Sequence, residues 1–176
     1  DVAREINPNN PSYHSDVGPS RIGTFVYNNQ TYAYGKFSNG WTAQDTVACG
    51  NCHGSTSGVK GPHGSANAAI LVAPFTPAVS GSGTGTSGTQ GDLCFQCHDY
   101  NFYSGQDQGS AAVRSQFSGG SRYNLHALGT HRGRGCTACH VALPHGWTSR
   151  SLLADMQANP DKPAPYFAGS KLRVYN

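Results

Sequence analysis

Every cysteine of this chain lies in a Cys-x-x-Cys-His motif. Two thiols at this spacing can add to the two vinyl groups of one porphyrin, and the histidine that follows can bind its iron. The three motifs cover residues 49–53, 94–98 and 136–140, with the thiols of Cys49, Cys52, Cys94, Cys97, Cys136 and Cys139. This pattern predicts three c-type haems per chain, with His53, His98 and His140 as the proximal iron ligands.

Disulfides or zinc sites are the other chemistries that use cysteines at this spacing. Bridges between cysteines of one Cys-x-x-Cys motif are typical of catalytic redox sites, and a histidine directly after each of three such bridges would be unusual. Because no cysteine lies outside the motifs, haem attachment is preferred to both alternatives.

The distal ligands come from a larger set of candidates. The sixth position of a c-type haem iron is usually filled by histidine or methionine. The only methionine, Met156, is expected to pack on a short helix, so we expect two histidines at each iron. The five histidines outside the motifs are, in order of preference, His63, His126, His145 and His131, with His14 as a separate case. Which three of them bind iron, and which haem each serves, stays open at this point.

An internal repeat guides part of this ranking. Pro62-His63-Gly64 and Pro144-His145-Gly146 each follow a haem motif and precede an apolar pair at the same spacing, which indicates duplication of one unit. His145 follows His140 too closely to reach the opposite face of the same haem, so we expect it to bind another. Of His126 and His131, at least one is expected to be axial, and the other to hydrogen bond a propionate or an imidazole.

Composition limits the fold and the partners. The 176 residues include 23 glycines, mean hydropathy is −0.49, and no apolar stretch is long enough to span a membrane. No basic run with interleaved aromatics indicates nucleic-acid binding. Three macrocycles would supply apolar surface that the polypeptide lacks. We therefore expect a mostly irregular (coil) fold with short α-helices and a small N-terminal β-hairpin, organised around covalently bound haems.

The chain is expected to form a single domain with two extended ends. The hairpin is predicted from β-branched and aromatic residues on both sides of Asn28-Asn29-Gln30. The predicted parts are an N-terminal arm at 1–23, a trihaem cytochrome domain at 24–153 and a C-terminal tail at 154–176. Within the domain we predict the hairpin at 24–37 and the haem region at 41–153. Short helices are expected at 66–72, 110–117 and 149–157.

Four segments together resemble the filament-forming extracellular multihaem cytochromes, the "cytochrome nanowires" of metal-reducing microbes. They are the polar arm that carries His14, the aromatic hairpin, residues 59–65 and residues 136–147. The resemblance implies a head-to-tail homopolymer with a continuous chain of haems, each bound by two histidines. In it, an N-terminal histidine of one subunit, here His14, completes a haem of its neighbour. The best-known members carry four or more haems per subunit, whereas this chain has motifs for three.

The residues and the resemblance favour electron transfer without enzymatic activity. The expected partners are further copies of the chain, other redox proteins or extracellular electron acceptors. The chain starts at Asp1 with no start methionine or signal peptide, which we interpret as a processed, exported form located outside the cell or at its surface. The alternatives are a monomeric periplasmic shuttle, a multihaem oxidoreductase with one open haem, and a small relay subunit of a catalytic partner. His14 could also be a solvated loop residue.

Overall fold

The computed structural model describes residues 6–7, 9–10, 12–14, 22–56, 64–75, 90–132, 135–136, 140 and 145–147. The predictions for His63, Cys139, Met156, the helix at 149–157 and the tail at 154–176 lie outside the described residues.

Regular structure is short, as the composition predicts. Four strands are described: β1 (Ser12–Tyr13), β2 (Thr24–Tyr27), β3 (Gln30–Ala33) and β4 (Gly146–Trp147). The two α-helices are α1 (Cys49–Cys52) and α2 (Tyr100–Tyr103), and the 3-10 turns are Ala68–Ile70, Leu93–Gln96 and Leu125–Ala127. The rest of the described chain is turn and coil, so the predicted fold class is confirmed. No helix among these residues is long and apolar enough to cross a bilayer.

The predicted hairpin is formed by β2 and β3. Asn28 and Asn29 adopt φ angles of 49° and 60°, the left-handed conformation that a tight two-residue turn requires and that asparagine tolerates. Phe25 pairs with Tyr32 across the strands, with ring centres 5.6 Å apart. The guanidinium of Arg114 lies 4.7 Å from the centre of the Phe25 ring. This cation–π contact ties the hairpin to the second half of the chain.

The N-terminal arm is joined by β1 and β4 to a segment that follows the third motif. The two strands are antiparallel, with Ser12 opposite Trp147 and Tyr13 opposite Gly146. The backbone N–H of His14 continues the pairing by donating to the carbonyl of His145, at 2.8 Å. Segments that are far apart in the sequence are therefore neighbours within one chain.

Two of the helix predictions differ from the structure. At 66–72 only the 3-10 turn Ala68–Ile70 forms, because Ala69 and Ile70 have φ angles of 55° and 57°. The predicted helix at 110–117 is wrong: Ser110 and Val113 exchange backbone hydrogen bonds, which closes a tight turn instead. The helix α2 was not predicted; its start is capped by the Asp99 carboxylate, which accepts from the Phe102 N–H at 2.8 Å.

The apolar core is small. Phe102 on α2 is fully buried, and Phe95, Leu71 and Ala73 are among the few other buried apolar side chains in the described ranges. Phe95 lies within the second motif, Phe102 follows it by four residues, and Leu71 forms a β-bridge with His53 of the first motif. Part of the described core therefore lies beside residues that are predicted to hold haem.

Candidate metal centre

The three motifs share one backbone hydrogen bond. In each, the histidine N–H donates to the carbonyl of the first cysteine: His53 to Cys49 at 2.8 Å, His98 to Cys94 at 3.0 Å and His140 to Cys136 at 2.9 Å. This bond spans four residues, as in one turn of an α-helix. One turn places the histidine beside the thiols of its own motif, as attachment to a single porphyrin requires.

The first motif is clamped by the segment that follows it. The N–H of Gly54 donates to the Ile70 carbonyl, and the N–H of Val72 donates to the Cys52 carbonyl, both at 2.9 Å. The Nδ1 of His53 lies 2.8 Å from the Ala69 carbonyl oxygen. Because a carbonyl can only accept, Nδ1 carries the proton and Nε2 has the free lone pair. His53 is therefore held in the tautomer that binds metal through Nε2.

The segment that holds the first motif contains a strained stretch of backbone. Ala69 and Ile70 are consecutive non-glycine residues with left-handed φ angles, a conformation that costs about 1–3 kcal/mol per residue. The β-branched side chain of Ile70 makes the strain greater at that position. The resulting turn directs the Ala69 carbonyl to His53, so the strained residues are also the ones that orient the predicted proximal ligand.

The second motif is held by the segment before the first motif. The Ser38 N–H donates to the Cys97 carbonyl at 2.8 Å, and Phe37 forms an isolated β-bridge with His98. The rings of Phe37 and Tyr103 lie 5.6 and 5.1 Å from the His98 ring. His98 keeps some exposed surface, yet its Nδ1 is shielded from solvent and has no hydrogen-bond partner within the described chain.

The thiols of consecutive motifs are neighbours. Cys94 and Cys136 form a side-chain hydrogen bond, which raises the pKa of Cys94 and lowers the pKa of Cys136. Burial, followed by electrostatic repulsion from Cys52, raises the pKa of Cys97 to about 11. None of the five described cysteines is in a disulfide. The first motif therefore adjoins the second, and the second adjoins the third.

Five histidines from distant parts of the sequence influence one another electrostatically. The pKa of His98 is lowered to about 3, mainly by burial and then by repulsion from His14, His140 and His126. The pKa of His126 is lowered to about 4, again mainly by burial and then by His140 and His131. A neutral imidazole is the form that binds a metal ion. His14, which is far from every motif in sequence, therefore lies close to the second motif in the single chain.

The other distal candidates differ in how they are held. The ring centres of His145 and His53 are 6.3 Å apart, with an angle of 24° between the ring planes. The Nδ1 of His126 lies 2.9 Å from the Oδ1 of Asn124. His131 packs edge-on against Phe117, with ring centres 4.8 Å apart.

Which of these histidines binds iron stays a prediction, as does the role of His14 in a neighbouring subunit.

Three residues of this centre were missed from the sequence. Ala69 supplies the carbonyl for His53, and Asn124 supplies the acceptor for His126. Tyr103 lies between two histidines, with its ring 5.1 Å from His98 and 5.3 Å from His126, and burial raises its pKa to about 12. Asn124 could have been found, since an asparagine two residues before a histidine often folds back on the local backbone. No local pattern indicates Ala69 or Tyr103.

The described residues fit haem better than a bare metal ion. His53 has its Nδ1 proton engaged and its Nε2 free, which is the arrangement usual for a metal-bound imidazole. Within the part of the chain that is described, no three His, Cys, Asp or Glu side chains converge to hold an ion. Thiol pairs that each precede a histidine instead suit a macrocycle anchored at its edge.

Comparison with known proteins agrees with this interpretation. Residues 42–101, about a third of the chain, match the family model described as the doubled CXXCH motif, and the match covers the first two motifs. No curated protein and no solved structure matches the chain. The match supports a multihaem c-type cytochrome with covalently bound haem c, and electron transfer is the function that it indicates.

Proposed function

We propose that this chain is a trihaem c-type cytochrome that transfers electrons outside the cell and polymerises into filaments. The observation that carries the electron-transfer proposal is the closeness of thiols of consecutive motifs: Cys52 acts electrostatically on Cys97, and Cys94 is hydrogen bonded to Cys136. Haems attached through these thiols would lie side by side. Haem iron, when bound, supplies the one-electron redox chemistry.

The chain itself anchors, orients and shields the redox groups. Each pair of thiols would hold one porphyrin edge, and His53, His98 and His140 would bind iron from the proximal side. The rings of Phe37 and Tyr103 flank His98 and shield part of it from water. Two imidazole ligands per iron favour lower reduction potentials than an imidazole and a thioether, because methionine ligation raises the potential.

The haem count and the open-iron alternative can be tested together. We expect an intact mass of three haems per chain, and a visible spectrum of the reduced protein that carbon monoxide does not change. Changing both cysteines of one motif to alanine should remove one haem each time. Fewer than three haems in the unaltered protein would contradict the count. Prompt carbon monoxide binding would instead favour an oxidoreductase with an open iron.

The filament proposal rests on the resemblance to filament-forming cytochromes and on the small contact made by the arm. β1 and β4 pair over two residues each, a backbone contact that the arm of a neighbouring copy could make in the same register. Such an exchange of identical elements is a low-cost route to assembly, and a head-to-tail contact propagates unless it closes a ring. In a polymer His14 would then lie beside a haem of the neighbour.

Negative-stain microscopy of the purified protein tests the polymer. We expect filaments, and we expect His14→Ala to shorten or abolish them and to leave one haem per chain with an open position. Dispersed particles at every concentration would favour the monomeric periplasmic shuttle. Filaments of His14→Ala with every iron still bound by two protein ligands would contradict the cross-subunit role of His14. Cell fractionation would test the proposed location.

A further inference from the structure

We infer that His145 is the distal ligand of the haem attached through the first motif, opposite His53. This inference rests on the proposed function, because it requires haem at Cys49 and Cys52. It assigns a ligand pair that the motif alone leaves open, since the spacing within Cys-x-x-Cys-His defines only the proximal histidine.

The first support is the separation of the two rings. Two imidazoles that each bind one iron through a nitrogen about 2 Å away have ring centres about 6 Å apart. The centres of His53 and His145 are 6.3 Å apart. The other ring pairs of the described chain are closer, at 4.8 to 5.6 Å. The separation of the two histidines therefore matches that of two imidazoles bound to one iron.

The second support is the tautomer of His53. Its Nδ1 donates to the Ala69 carbonyl at 2.8 Å, so Nε2 is the nitrogen left for a metal. The angle of 24° between the two ring planes is also compatible with axial ligands, whose planes can both contain the metal–nitrogen axis. A single iron could then be bound by the Nε2 of His53 and by a nitrogen of His145.

The third support is that the fold positions His145 independently of any cofactor. β4 begins at the next residue, Gly146, and pairs with β1, while the carbonyl of His145 accepts from the N–H of His14 at 2.8 Å. The backbone of His145 is thereby held by the arm at its carbonyl and through the strand that follows. The N-terminal arm consequently acts as a clamp that presents His145 to the first motif.

The assignment also explains a feature of the sequence. His145 follows the proximal His140 by five residues, which is too short a link for both to bind opposite faces of one haem. Ligation of the first haem lets His145 bind iron without requiring this short link to span a haem.

The test is His145→Ala in the full haem-loaded chain, with the haem count measured on the same sample. We expect three haems, of which one per chain becomes high-spin and binds carbon monoxide when reduced. Added imidazole should restore the low-spin spectrum. His145→Met should keep the iron six-coordinate and raise the reduction potential of that haem, a change that loss of packing would not produce.

The haem is identified by repeating the substitution in a chain with Cys49→Ala and Cys52→Ala. In that background we expect His145→Ala to create no additional carbon monoxide site. An additional site there would overturn the assignment, since His145 would then serve another haem. Three haems that all stay low-spin in His145→Ala would overturn it as well. A protein purified without haem would overturn both the assignment and the proposed function.

Discussion

Asn124 holds the imidazole of His126 in one tautomer. The side-chain amide of Asn124 donates to the carbonyls of Phe102 and Asp107, at 2.8 and 2.7 Å, so its Oδ1 is the atom that faces His126. The Nδ1 of His126 lies 2.9 Å from that oxygen and must carry the proton. Nε2 is then available to a metal, which is the arrangement also seen at His53, the predicted proximal ligand of the first motif.

Replacing Asn124 by leucine should destabilise the protein and release His126. Asn124 is buried, and the loss of its amide leaves two carbonyls without their donor, which costs about 1–3 kcal/mol in the free energy of unfolding. We expect denaturant titration to show this loss. The exposed Asn101→Leu on α2 is the control and should change little. Equal stability of the two variants would contradict the role given to Asn124.

His126 and His131 should differ when each is changed to alanine. His126 has a fixed tautomer and is coupled to His140, whereas His131 packs against Phe117 and contacts the hydroxyl of Thr130 at 3.3 Å. We expect His126→Ala to leave one iron without its distal ligand, so that carbon monoxide binds it when reduced. His131→Ala should leave every iron with two protein ligands. The opposite result would make His131 the axial ligand and His126 its hydrogen-bonding neighbour.

Gly105→Ala should disturb the backbone of His126. Gly105 has a φ angle of 87°, and a Cβ there would lie 2.6 Å from the His126 carbonyl oxygen. A left-handed non-glycine residue costs about 1–3 kcal/mol, and the close contact adds to this cost. We expect a lower midpoint of denaturation and a changed haem spectrum. Gly129→Ala is the matched control, because a Cβ there meets nothing within 4 Å; a similar loss in both variants would contradict the prediction.

The ion pair between Lys36 and Asp107 should add stability that depends on pH. The Nζ of Lys36 lies 2.6 Å from the Asp107 carboxylate, and this hydrogen bond lowers the pKa of Asp107 below its ordinary value. A lowered carboxyl pKa stabilises the fold above the unfolded value of about 3.9, and the contribution is lost as pH falls through the folded value. Both side chains are partly exposed, so we expect only about 0.5 kcal/mol.

Asp107→Asn measures this contribution. The difference in unfolding free energy between Asp107→Asn and the unaltered protein should be present at neutral pH and should vanish in acid. It should also shrink in 1 M salt, where the screening length is only about 3 Å. A difference that persists in acid would show that Asp107 acts through another contact, such as the one its carboxylate makes with the Gly109 N–H.

Local patterns predicted the elements that depend on local interactions. The hairpin follows from Asn28 and Asn29, whose left-handed conformations set the turn between two short strands. The predicted helix at 110–117 failed because its backbone groups have other partners. The backbone N–H of Ser115, for example, donates to the Tyr123 carbonyl at 2.9 Å. Helical periodicity in the sequence cannot reveal such a contact.

The N-terminal arm also makes contacts at the candidate site that local sequence patterns could not predict. Its polar composition predicted an extended segment and His14 was singled out, but nothing in the residues indicated that β1 pairs with β4 within the chain. Pairing between the two ends of a chain depends on how all the intervening segments pack. The position of His14 near His98 was for the same reason beyond sequence reasoning.

From the residues alone we could predict which side chains would attach haem, because two thiols and a histidine within one helical turn can meet one porphyrin wherever that turn lies. Only the tertiary structure decided which histidines face each other, which thiols of different motifs adjoin, and which carbonyl or amide selects a tautomer. These relations join residues far apart in the chain, such as His53 and His145. Their distances follow from packing and strand pairing, which no local spacing encodes.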